Sequence, residues 1–214
     1  MTAWAARTPL KVAIIVGTTR PGRKADTVAH WVHDMAVKRE DAAYEVVDIA
    51  EFALPHLNEP MPALTGEYSQ PHTRAWADKV GSFDAYVFVT PEYNASIPGV
   101  LKNAIDYLGA EWGGKAVGFV GYGMEGGVRA VAHLRVVLGD LKVSDVQPAV
   151  ELTLPEDFEN FSVFTPRESQ EKQVLAVLDA LLPEAARLRA EPPTTAKRRT
   201  TGGSREPWVD VDVP

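Results

Sequence analysis

Three short stretches carry residues whose types and spacing could do chemistry. In "GTTRPGR", residues 17–23, Thr18 and Thr19 supply hydroxyls and Arg20 and Arg23 supply guanidinium groups, with Lys24 and Thr27 just beyond. Charged forks, hydroxyl donors and the start of a helix together suit a terminal phosphate monoester. The loop lacks G-x-G-x-x-G, so it does not fit a dinucleotide pyrophosphate laid on backbone, and it lacks the G-K-[ST] of a triphosphate loop. Its plain alternative is a polar turn with solvated charges. In "TPEYNASIPG", residues 90–99, prolines 91 and 98 bracket Glu92, Tyr93, Asn94 and Ser96. A residue before proline is pushed towards extended backbone, so Thr90 and Ile97 are expected to be extended. Between them Pro91, Glu92, Tyr93, Asn94 and Ser96 offer a rim for a flat heterocycle with polar edges. The alternative is a helix cap, with Ser96 as the N-cap and Pro98 in the first turn. In "GYGMEGG", residues 121–127, four of seven residues are glycine. That permits positive φ and close approach of a ligand to the backbone, beside Tyr122 and Gly123.

These stretches need elements that bring them together. "LKVAIIV" (10–16) is a nearly continuous apolar run, as in a strand buried on both faces. Helical spacing follows over 26–39, strands over 44–49 and 85–89, and a proline-rich loop over 52–71. Helices are predicted over 72–80, 97–108, 128–141 and 168–189. Further strands are predicted over 115–123 and 144–150, the last with Pro148 and so at a sheet edge. Five strands alternating with helices predict an α/β domain, a parallel sheet with helices on both faces. In such a sheet ligands sit at the carboxyl ends of the strands, where all three stretches fall. A mononucleotide with a phosphate at one end and a flat redox group at the other fits the set. One domain is expected over 1–190 and a flexible tail over 191–214, where the periodicity stops.

Composition excludes several classes. The chain has 214 residues, a net charge of −7 and no cysteine. The acidic balance argues against a nucleic-acid partner. Without cysteine there is no disulfide, thiolate metal site or dithiol redox pair, so redox work would need a bound cofactor. No apolar run is long enough to span a membrane and no secretory signal is visible, so a cytoplasmic location is expected. His30 and His33 share a helix face without acidic companions, so no metal site is assigned. No Ser-His-Asp set stands out, and no catalytic acid or base is named.

"GTTRPGR", "PEYNASIPGVLKNAIDYL" and "GYGMEGGVRAVAHLR" resemble the NAD(P)H-dependent FMN reductases, a group that includes quinone, chromate and azo reductases. The similarity runs over about residues 10–182 and includes "DIAEFALPHLNEP". It implies a flavodoxin-like, doubly wound five-stranded sheet in the order 2-1-3-4-5. It implies that FMN is the cofactor, with its phosphate on Thr18, Arg20 and neighbours. The isoalloxazine would then lie along Pro91, Glu92, Tyr93 and Asn94, and touch Tyr122 and Gly123. NADPH or NADH would be the donor, a flat small molecule such as a quinone the acceptor, and the kinetics ping-pong. A homodimer is also implied, with Val100, Leu101, Ile105 and Leu108 as apolar positions on the helix that would face it. Two other readings stay open at this point. One is a non-catalytic flavin-binding electron carrier or redox-sensing partner; the other is a reductase that supplies free reduced FMN.

Overall fold

The computed structural model describes residues 8–191; the tail predicted over 191–214 lies outside them but for Glu191. The chain runs β1 (Lys11–Val16), α1 (Ala25–Ala36), β2 (Ala43–Asp48), α2 (Pro71–Gly81), β3 (Ala85–Pro91), α3 (Gly99–Asp106), β4 (Ala116–Gly123) and α4 (Val128–Asp140). It continues through β5 (Ser144–Thr153), a single helical turn α5 (Leu154–Asp157), the short strands β6 (Phe158–Glu159) and β7 (Val163–Phe164), and α6 (Glu168–Ala190). The five long strands form one parallel sheet in the order β2-β1-β3-β4-β5.

Apolar patterning sets the position of each strand. β3 and β4 are buried at every residue and β1 at all but its first, because helices cover both faces of the sheet centre. β2 and β5 mix buried or half-buried positions with exposed ones and stand at the edges. Within β1, Val12, Ile14 and Val16 point to a core shared with α1 and α6, while Ala13 and Ile15 point to one shared with α2, α3 and α4. Pro148 lies in the part of β5 where the register with β4 shifts, so its missing N–H breaks no regular ladder pair.

Three local expectations change. The helix predicted over 26–39 is α-helical only to Ala36, then tightens into a 3-10 turn at Val37–Arg39 and ends with Glu40 at φ 54°. Helix α3 starts at Gly99 with Pro98 as its N-cap and no side-chain cap, so Ser96 does not cap it. Of the apolar positions predicted to face a partner, Leu101, Ile105 and, past the end of α3, Leu108 are buried in the chain's own core, and only Val100 faces solvent. The proline-rich loop is not loose. Asn103 donates to the Pro55 carbonyl (2.7 Å), and the Tyr107 hydroxyl donates to Asn58 Oδ1 (2.9 Å). The Glu59 carboxylate accepts from the Ser69 and Gln70 backbone N–H groups at 2.8 and 3.0 Å. Burial opposes this carboxylate's charge, but donors on Ser69 and Gln70 outweigh it and hold its pKa down to about 2. Among the described residues, no helix is long and apolar enough to cross a membrane.

Candidate functional site

The first loop leaves β1 across the top of β3. Gly17 N–H donates to the Val89 carbonyl at 2.8 Å, and a Cβ at residue 17 would stand 2.8 Å from that same oxygen. Only glycine allows this crossing. Thr18 is buried; its Oγ1 accepts from Arg20 N–H at 3.3 Å and meets the Tyr93 hydroxyl at 3.3 Å, tying the first loop to the second. The two arginines do different things. Arg23 donates to both Asp26 oxygens (2.8 and 2.9 Å), to the Thr18 carbonyl (2.9 Å) and to Asp48 at the end of β2. Burial works against its charge, yet Asp26 and Asp48 prevail and raise its pKa. Arg23 is therefore a strut inside the loop. Arg20 is exposed, lies over the Tyr93 ring at 5.7 Å, and has no acidic partner among the described residues. Lys24 Nζ donates to Ser162 Oγ at 3.0 Å, and its own side chain does not cap α1.

The second loop is a tight turn. Tyr93 and Ser96 exchange backbone hydrogen bonds of 2.9 and 3.0 Å, and the residues between, Asn94 and Ala95, have φ of 49° and 63°. This is the backbone of a two-residue primed turn, with alanine where glycine is favoured. Glu92 N–H donates to the Tyr122 carbonyl at 3.0 Å, which joins this loop to the third. The Glu92 carboxylate is committed elsewhere: it accepts from Arg129 Nε (2.6 Å) and from Arg129 backbone N–H (3.0 Å) at the start of α4. Burial opposes its ionisation, but these donors lower its pKa. The Ser96 hydroxyl is paired with His133 Nδ1 at 2.9 Å, away from the first loop.

The third loop folds back on β4. A Cβ on Gly121 would stand 2.7 Å from the Gly126 carbonyl, and Gly126 and Gly127 both have φ of 73°. The loop is therefore closed by its own backbone. Tyr122 is buried, and burial pushes its phenol pKa up, with Tyr93 adding to the shift and the nearby Ala25 N–H opposing it.

These loops enclose a cleft of about 270 Å³ at the carboxyl end of the sheet. It gathers Arg20, Arg23, Lys24, Pro91, Glu92, Tyr93, Tyr122 and Gly123 from the residues picked out by sequence. Thr18 sits beneath it through Tyr93. Thr19 instead lines a neighbouring cavity of about 330 Å³, with Ile49, Leu54, Val100 and Asn103. Thr27, Asn94 and Ser96 line neither. Leu154 and Phe161 join the cleft without having been foreseen. They come from the segment after β5, whose short strands carry too little periodicity to be read, although "FENFSVF" (158–164) is rich in phenylalanine. The cleft thus combines the Arg20 guanidinium, which has no acidic partner among the described residues, with walls from Pro91, Tyr93, Tyr122 and Gly123.

Residues 10–156 match the family model described as NADPH-dependent FMN reductase. An NAD(P)H-dependent FMN reductase of Schizosaccharomyces pombe is 40% identical over 149 residues, covering 69% of this chain and 74% of that protein. One from Saccharomyces cerevisiae is 36% identical over 165 residues, 69% of this chain and 86% of its own. An NAD(P)H:quinone oxidoreductase of Solanum tuberosum is 31% identical over 195 residues, covering 87% and 98%. Among solved structures, the flavoenzyme NAD(P)H:(acceptor) oxidoreductase of Paracoccus denitrificans superposes with a TM-score of 0.64 at 24% identity, covering 82% of this chain and 98% of that one. At that identity the likeness concerns the fold.

Proposed function

Because the chain belongs to the NADPH-dependent FMN reductase family, we propose that it is an NAD(P)H-dependent FMN oxidoreductase whose electrons go to a quinone-like or other flat small-molecule acceptor. The observation that carries this is the single cleft joining the cationic first loop to the walls formed by the second and third loops. Its residues fit FMN. Arg20 and Lys24 supply charge for the phosphate, and Pro91, Tyr93, Tyr122 and Gly123 supply flat, close-fitting walls for the ring. Bound FMN supplies two-electron chemistry between reduced nicotinamide and acceptor, for which a chain without cysteine has no dithiol of its own.

The remaining residues hold the site in shape. The Arg23 strut fixes the first loop against α1 and β2, and the Thr18–Tyr93 contact sets the distance between the first and second loops. The Glu92–Arg129 pair docks the second loop on α4. The strained Asn94–Ala95 turn keeps the rim short and rigid. Titration of apoprotein with FMN, read by flavin fluorescence, tests the reading; no binding at micromolar FMN would remove it. Oxidation of NADPH and NADH with menadione as acceptor then separates an enzyme from a passive carrier.

The same reading includes a homodimer. Leu57, Met61 and Leu64 of the proline-rich loop and Val100 of α3 are exposed by 50%, 45%, 84% and 42%. Asn103 accepts from Leu57 N–H at 3.0 Å and so holds that loop along α3, beside the cavity that Val100 lines. Exposed apolar side chains of this size favour a second copy as their cover. Light scattering that reports a monomer with full activity would refute it.

A further inference from the structure

We propose that the hairpin formed by β6 and β7 is a further wall of the flavin site, with Phe161 covering the bound flavin and Ser162 holding Lys24 in place, so that this hairpin sets how long FMN is retained. The proposal rests on the FMN reading above and deepens it.

The base of the hairpin is rigid. Asp157 is fully buried; it accepts from Thr153 N–H at 2.8 Å and from Arg167 Nε and Nη2 at 2.9 and 3.1 Å. Phe158 is buried between Tyr122 and Phe164, with ring centroids 6.1 and 5.1 Å away, and Phe164 meets Trp31 of α1 edge-on at 5.2 Å. The hairpin is thereby locked to the third loop on one side and to α1 on the other.

The tip is where folding alone does not explain the residues. Ser162 N–H donates to the Glu159 carbonyl at 3.0 Å, closing a turn whose central residues, Asn160 and Phe161, have φ of 50° and 55°. Such turns favour Asn-Gly, and the asparagine is there. The second position holds a bulky aromatic in a backbone region that is costly for it. Core burial does not offset that cost, since Phe161 is 58% exposed. It instead lines the cleft, together with the first loop, Tyr93 and Tyr122. Next to it, Ser162 Oγ accepts from Lys24 Nζ at 3.0 Å, fixing an ammonium group that would otherwise swing free at the phosphate end. A strained, exposed aromatic on a rigid base, facing a cleft built for a flat ligand, is a binding wall; its neighbour orients a cation.

The two residues predict different signatures. Phe161→Gly should weaken FMN and riboflavin alike by about tenfold, the order expected from uncovering part of one aromatic side chain, with most of the loss in faster release. It should leave the melting temperature of the apoprotein unchanged or higher, because glycine relaxes the turn. Ser162→Ala should weaken FMN by about threefold to tenfold and leave riboflavin unchanged, because Lys24 acts on the phosphate alone. Dissociation constants and release rates for both flavins, with apoprotein melting, measure all of this; Arg20→Ala serves as the control. If Phe161→Gly keeps both affinities and release rates while Arg20→Ala loses FMN, the hairpin proposal falls and the FMN site stands. A drop in melting temperature that accompanies the loss of affinity would assign Phe161 a folding role and overturn the proposal. Wild-type protein that binds neither flavin overturns both readings.

Discussion

Arg20 and Arg23 stand three residues apart and should fail in opposite ways. Arg20 is exposed and lies over the Tyr93 ring at 5.7 Å, with no acidic partner among the described residues. A cation–π contact at such a site is worth about 0.5–1 kcal/mol, so Arg20→Ala should hardly change stability. A charge-assisted hydrogen bond to a phosphate is worth about 1.5–3 kcal/mol, so the same variant should bind FMN about 10- to 150-fold more weakly. Riboflavin, which lacks the phosphate, should bind as before. Arg23 is the reverse case. Its side chain is only 15% exposed, and its removal leaves Oδ2 of Asp48, 20% exposed, and the Thr18 carbonyl without the donor that Arg23 gives them. Breaking a buried pair costs about 3–5 kcal/mol. The residual exposure here lowers that to about 2–3 kcal/mol, or about 5–10 °C in melting temperature for a domain of this size. Flavin fluorescence titration with both ligands and thermal melting of each apoprotein give the four numbers. Equal loss of FMN and riboflavin in Arg20→Ala would mean that Arg20 shapes the loop or touches the ring. An Arg23→Ala protein that melts like wild type would refute the strut.

Three further outcomes follow from the geometry. Glu59 has a folded pKa of about 2 against an ordinary 4.5, so the stability it contributes is fully present above pH 4.5 and is lost as the pH falls through 2. After discounting for its solvent exposure the effect is about 1 kcal/mol, and the stability gap between wild type and Glu59→Gln should close over that window in acid unfolding titrations. A Cβ at Gly118 would stand 2.5 Å from Val177 Cγ1, where α6 packs on β4. Gly118→Ala should therefore cost about 1–3 kcal/mol in denaturant melts while leaving FMN affinity near wild type, since the site lies at the far end of β4. Donor and acceptor should use the mouth of the cleft in turn, so double-reciprocal plots of NAD(P)H oxidation should be parallel; intersecting lines would count against a shared position.

Periodicity alone was enough for the layered architecture. Runs such as "KVAIIV" and "AYVFV" report burial on both faces, and the alternating helical spacing reports which element follows. Residue type proposes phosphate for the first loop but does not decide it, because hydroxyls, guanidinium groups and a helix start equally make a polar turn with solvated charges. What the local pattern could not hold was partnership across the chain. Arg20 and Arg23 look equivalent in "GTTRPGR"; Asp26 and, 25 residues on, Asp48 make Arg23 a strut, while Arg20 has no acidic partner among the described residues. Glu92 and Ser96 look alike as rim residues; α4 pairs one with Arg129 and the other with His133, and Glu92 lines the cleft while Ser96 does not. Leu101, Ile105 and Leu108 read as a dimer face until the sheet covers them and makes them core. Phe161 comes to the cleft through a hairpin of two-residue strands and through a contact between Lys24 and Ser162 that spans 138 positions. Burial leaves a period in the sequence because every turn or pleat repeats it. A hydrogen bond between distant side chains leaves none, and only the tertiary structure decides it.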